Sequence, residues 1–174
     1  MKKIIRIVLI SVAVLAISFF GYLTFTKSKS PADKAVFKEN GLEVKVDYCR
    51  PYKKERQVFG QLVPYGKVWR TGANEATLFE VKQDVKIGDK TLKAGKYTLW
   101  TIPTPDKWTI IFNGQTGQWG TQYDETKDIM RVEVPSGKIA ETVEQFKIDF
   151  APVTGGADMI LSWENTEIRV PVRL

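Results

Sequence analysis

The chain has 174 residues, enough for one domain or two at most, and its 43% apolar and 26% charged residues are an ordinary globular balance. Histidine is absent and cysteine occurs once, which excludes a Ser-His-Asp triad, a Cys-His pair, a histidine-ligated metal and an internal disulfide. The net charge of +6 sits mainly at the start, where residues 1–34 carry +5, while residues 35–174 hold 20 basic against 19 acidic side chains. The concentrated basic face of a nucleic-acid binder is therefore not expected.

Lys2, Lys3 and Arg6 precede an uncharged run of 19 residues, Ile7 to Phe25. About 20 apolar residues cross a bilayer core as a helix, and inside a bilayer every backbone polar group must be paired within the segment. Residues 1–26 thus read as an anchor in a bacterial cytoplasmic membrane, single-pass. The basic residues ahead of the run put the N-terminus inside and the body in the periplasm or outside the cell, although Lys27, Lys29 and Lys34 blunt the asymmetry. The rival is a cleaved signal peptide, with Ala16-Ile17-Ser18 as the small-x-small triplet. Either way the domain lies outside the cytoplasm. No cysteine lies in or just after the run, so a lipoprotein anchor is excluded.

Residues 27–34 are polar, contain Pro31 and read as a linker. Residues 35–174 then read as one extracytoplasmic domain of strands. Leu42, Val44, Val46 and Tyr48 alternate with polar residues, the pattern of a half-buried strand. Thr77 to Val81 is another strand. Residues 85–92 form a hairpin about Gly88-Asp89. Lys96 to Ile102 stops at Pro103, and Trp108 to Asn113 follows. Strands are further expected from Ile129 to Val134, around Phe146 to Phe150, around Met159 to Trp163 and from Ile168 to Val172. Residues 140–146 are expected to form a turn of helix. Nine or ten short strands and no apolar stripe of helical period predict an all-β fold, an antiparallel β-sandwich, jelly-roll-like or a partly closed barrel.

Two segments carry the candidate functional residues. Tyr48 to Thr77 is a long loop rich in glycine and proline that holds Arg50, Arg56, Arg70, Asn74 and Glu75. Arg70 and Glu75 flank a turn, which suggests a salt bridge across its neck with Asn74 in a left-handed conformation. The alternative is a site in which Arg70 binds a carboxylate or phosphate, Asn74 hydrogen-bonds and Glu75 accepts from a hydroxyl. In Asn113 to Asp128, Trp119 and Tyr123 lie within a polar, glycine-rich loop. They are candidates to stack on a sugar or peptide, or else caps on the core. Asp124, Glu125 and Asp128 do not have the spacing of an EF-hand, and no metal is expected. Cys49 reads as a buried small hydrophobe.

Arg50-Pro51, Arg56, Val58-Phe59-Gly60, Leu62 to Gly66 and above all Trp69 to Thr77 resemble the signature of the bacterial Domain of Unknown Function 2911 family. The likeness continues through Ala94-Gly95, Tyr97, Leu99, Ile102-Pro103, Trp108 to Asn113, Trp119-Gly120, Tyr123, Glu141-Thr142 and Phe146, covering nearly all of residues 35–174. It implies an extracytoplasmic bacterial β-rich domain and no particular activity. Cys49 stands where serine is expected and Glu55 where glycine is expected. The anchor replaces the usual secretion or lipoprotein signal.

The expected function is a non-catalytic domain that binds an envelope glycan, peptide or protein, without a cofactor. Its candidate ligand contacts are Arg50, Arg70, Asn74, Glu75, Asn113, Trp119, Tyr123 and Asp124. A glycoside hydrolase pairing Glu75 with Asp124 or Asp128, and a structural spacer without ligand, are the alternatives.

Overall fold

The computed structural model describes residues 2–174. Helix α1 (Lys2–Ser28) is followed by strands β1 (Ala32–Glu39), β2 (Leu42–Cys49), β3 (Thr77–Val81), β4 (Val85–Ile87), β5 (Lys90–Leu92), β6 (Gly95–Pro103), β7 (Lys107–Asn113), β8 (Asp128–Val153) and β9 (Gly156–Arg173). In α1, Lys3–Tyr22 is long and apolar enough to cross a membrane, and Leu9, Ile10, Leu15 and Phe20 stand exposed around it. A secretion signal passes the same test of length and composition.

All strand pairings in the sheet are antiparallel, in the order β1-β2-β3-β6-β7-β8-β9-β4-β5. The sheet is open, and β8 folds it over. Residues 128–135 of β8 pair with β7, whereas residues 136–153 pair with β9. The two halves face each other across one apolar core, as the expected sandwich requires. Phe37 of β1 meets Phe150 of β8 with ring centroids 6.0 Å apart, and Tyr48 of β2 meets Phe146 at 5.8 Å. The Tyr48 hydroxyl also crosses the core: it accepts from the Ile148 amide at 2.9 Å and donates to its carbonyl at 3.2 Å. Period-two alternation aims Leu42, Val44, Val46 and Tyr48 inward, each nearly fully buried. Burying an apolar side chain of this size contributes about 1.5–3 kcal/mol, so such rows hold the layers together.

The structure departs from the sequence expectation in three places. β1 begins at Ala32, inside the segment read as a linker, so only residues 29–31 separate it from α1. Only Ala35 and Phe37 of β1 point inward, and pairing with β2 rather than an apolar pattern makes it a strand. β8 runs unbroken through Pro135, the last residue paired with β7, where the missing amide falls as the strand changes partner. Residues 140–146 are strand, not helix. β8 and β9 slip in register there, and the other flank of β8 is pinned by Lys53 N–H to the Glu144 carbonyl (2.7 Å) and Phe146 N–H to that of Pro51 (3.0 Å).

Candidate functional site

The loop between β2 and β3 is fastened to the sheet before it turns. Trp69 and Thr101 exchange both backbone hydrogen bonds, at 2.7 and 2.9 Å. Beyond Trp69, buried threonines close the corner: Thr71 Oγ1 meets Thr101 Oγ1 at 3.1 Å, and Thr77 Oγ1 donates to the Thr71 carbonyl at 2.7 Å. Thr71 (φ 52°) and Asn74 (φ 59°) are left-handed. Asparagine tolerates that region, as expected for Asn74, whereas a β-branched threonine is held there by its surroundings. Earlier in the loop Lys54 (φ 53°), and not Glu55, takes the left-handed position.

The corner meets the aromatic loop. Glu75 forms a backbone bridge with Trp119, and the Gly120 amide donates to the Asn74 carbonyl at 3.0 Å. Gly120 is needed at this crossing: a Cβ there would lie 2.1 Å from Arg70 Cδ and 2.6 Å from the Asn74 carbonyl oxygen.

The turn nevertheless separates the two charges. Arg70 forms no ion pair with Glu75 or with any other described residue, and its Nε is buried without a hydrogen-bond partner. Burial holds its pKa below the ordinary guanidinium value. Glu75 Oε2 accepts from the Cys49 thiol at 3.8 Å. Each side chain lines its own depression. A cleft of about 660 Å³ takes Glu75, Cys49, Asp33, Asp47, Leu78 and Gln118 into its wall. A basin of about 410 Å³ takes Arg70, Tyr52, Lys54, Lys67, Trp69 and Trp163. Ser30 lines both.

The other candidate residues line neither depression. Arg50 is a staple: its Nε donates to the Phe146 carbonyl at 3.0 Å and its Nη1 pairs with Asp33 at 3.0 Å. Asn74 Nδ2 donates to the Ser30 carbonyl at 3.3 Å. Asn113 is buried, with Nδ2 donating to the Asp124 carbonyl (2.8 Å) and to Asp128 (2.7 Å), while its Oδ1 accepts from the Gln115 amide (3.0 Å). Tyr123 tilts over buried Trp100 at 5.0 Å and donates to Asp128 at 2.6 Å, and Arg131 donates to its hydroxyl at 3.0 Å. Trp119 is 39% exposed.

Asp124 caps the 3-10 turn Glu125–Lys127 by accepting from the Thr126 hydroxyl and amide at 2.6 and 2.9 Å. Those bonds hold its carboxyl below the usual range, opposite to what a general acid at neutral pH requires. Among the described residues no three His, Cys, Asp or Glu side chains are grouped to hold a metal.

The Tyr123 phenol is pushed up to about 12, first by burial and then by its bond to Asp128. A raised acid pKa means that the folded state holds the proton more tightly than the unfolded chain, whose tyrosine titrates near 10. Its contribution to stability is complete below pH about 10 and lost as pH rises toward about 12. Urea unfolding across that window should show a steeper alkaline loss for the parent protein than for Tyr123→Phe.

Two residues of the depressions escaped sequence reasoning. The Gln118 amide is fixed by its neighbours. Thr98 Oγ1 donates to the Gln115 carbonyl and accepts from Trp100 Nε1 and Gln118 Nε2, which leaves Gln118 Oε1 buried without a donor. Trp163 is buried as its strand pattern predicts, yet its indole N–H has no acceptor among the described residues. No local spacing signals either orphan.

These observations define the class: an antiparallel β-domain preceded by an apolar helix of membrane-spanning length. The chain belongs to the family described as Protein of unknown function (DUF2911), which matches residues 30–172, the β-domain without the helix. No curated protein and no solved structure matches the chain.

Proposed function

We propose that this is a non-catalytic binding domain of the bacterial cell envelope, with an envelope glycan as its ligand. In this reading α1 is an uncleaved single-pass anchor in the cytoplasmic membrane, its N-terminus inside and the β-domain in the periplasm or extracellular space. The observation that carries the ligand is the buried, unpartnered Gln118 Oε1 in the wall of the cleft. An orphaned buried acceptor is costly unless a ligand donates to it. The same wall carries the carboxylates of Asp33, Asp47 and Glu75 beside apolar surface from Ala32, Ala76 and Leu78. Acceptors beside small apolar patches complement a sugar, which offers hydroxyl donors along a C–H face.

The test uses the full chain in uncharged detergent, passed over immobilised peptidoglycan glycan strands and over envelope peptides and proteins. Glycan retention is expected, and Gln118→Leu should weaken it roughly 3- to 10-fold, the worth of one neutral hydrogen bond. Retention that ignores the substitution, or capture of peptide or protein instead of glycan, defeats the reading. The mass of the protein in membrane fractions tests the anchor: the intact 19.8 kDa chain is expected, and a product cut after Ser18 would identify a signal peptide.

A further inference from the structure

We propose that the basin beside Arg70 is an anion site, which holds a phosphate or carboxylate group by hydrogen bonds from Arg70 and Trp163 with Lys54 and Lys67 at its rim. Its lining includes Lys29, Lys54, Arg56, Lys67 and Arg70, and no aspartate or glutamate. None of these five cations has a carboxylate partner among the described residues. Elsewhere in the domain Lys38, Lys45, Lys82, Lys93, Lys107 and Lys147 are each paired with an acid. The loop thus concentrates positive charge on one concavity and leaves it uncompensated.

Two further features select a ligand. Arg70 Nε and Trp163 Nε1, on residues that line the same basin, are both buried and unpartnered, and both are donors only. Trp163 is 2% exposed, and a buried indole N–H ordinarily has a hydrogen-bond partner. A pair of orphaned donors among unpaired cations is complemented by an acceptor that carries negative charge, and guanidinium and indole N–H groups suit a planar carboxylate or a phosphate. Arg56 is excluded from this role because its guanidinium is spent on the carbonyls of Tyr52 and Lys53. Trp69 and Trp163, stacked at 5.8 Å and 19°, supply an aromatic floor, and about 410 Å³ leaves room for an apolar body attached to the anionic group. Ser30 lines both depressions, but Arg70, Trp163, Lys54 and Lys67 line the basin and not the glycan cleft, so the two readings stand or fall separately.

Phosphate and carboxylate groups reach this basin either from soluble compounds or from lipid headgroups, since Lys29 and Ser30 in its lining directly follow α1. The probe is inorganic phosphate, titrated into the full chain in uncharged detergent against chloride at matched ionic strength. Tryptophan fluorescence and the thermal midpoint report binding. A saturable response beyond that of chloride is expected. Arg70→Gln should weaken it tenfold or more, equivalent to about 1.4 kcal/mol. Trp163→Phe, which keeps a ring and removes the N–H, should weaken it several-fold in the thermal measurement, and Lys82→Gln, at a residue outside the basin lining that pairs with Glu80, should leave it intact. Circular dichroism confirms that each variant folds. Repeating the titration in phosphatidylglycerol and phosphatidylcholine bilayer discs separates the sources. A response abolished only by phosphatidylglycerol assigns the headgroup, and one that persists in both assigns a soluble anion. No saturable response, or one that Arg70→Gln and Trp163→Phe leave unchanged, overturns the site.

Discussion

Phe59→Ala is expected to cost the domain about 3–5 kcal/mol, the largest loss of any single substitution considered for this chain. Phe59 is 4% exposed and lies edge-on to Trp108 at 4.9 Å and to Trp69 and Trp163 at 6.2 Å each. Removing the ring opens a cavity under three indoles that no neighbour can fill without leaving its own contacts. Urea unfolding with matched fluorescence and circular dichroism transitions measures the loss. Phe59→Leu, which keeps most of the volume, should cost less than about 1.5 kcal/mol. A loss below about 1 kcal/mol for the alanine variant would mean that the aromatic cluster does not hold the 50–77 loop on the sheet. Val58-Phe59-Gly60 is part of the likeness by which the family was recognised, and its central residue serves the fold.

Gly120→Ala should cost about 1–3 kcal/mol by overpacking. The added methyl meets the backbone carbonyl of Asn74 at 2.6 Å and Arg70 Cδ at 2.1 Å, and the carbonyl cannot swing away as a side-chain end would. The Gly120–Asn74 hydrogen bond that joins the corner to the aromatic loop would lengthen, and the Arg70 stem would shift within the basin. Combining Gly120→Ala with Arg70→Ala tests this directly. Removing the stem relieves the closer of the two overlaps, so the double variant should be more stable than the sum of the single losses predicts. Strict additivity would mean that the two residues do not touch in solution.

The legible parts of the fold were those with at least one face in the core. β2 and β3 alternate because burial on one side of a pleated strand selects apolar residues at every second position, whereas β6 and β7, buried on both faces over residues 97–101 and 110–113, were legible as short β-prone runs bounded by turn residues. β1 was hidden because six of its eight residues are exposed. β8 was hidden because its middle leaves the core and is held by backbone bonds, which place no demand on side-chain polarity.

The same distinction governs the site. Asn74 announced its left-handed turn through its own chemistry. Whether Arg70 and Glu75 emerge together or apart depends on the backbone angles of Thr71 to Asn74, and these send them to different depressions. Trp163 was legible as core, but its missing acceptor is a property of what surrounds it in space.

The sharing of β8 between the two layers has a consequence for how the molecule yields. A sandwich joined only by loops can part like two leaves, each keeping its internal hydrogen bonds. Here one uninterrupted backbone is simultaneously the border of both leaves, so neither can peel without dragging the rim of the other. Opening is thereby made a concerted event, and the domain behaves as one cooperative unit rather than two stacked ones.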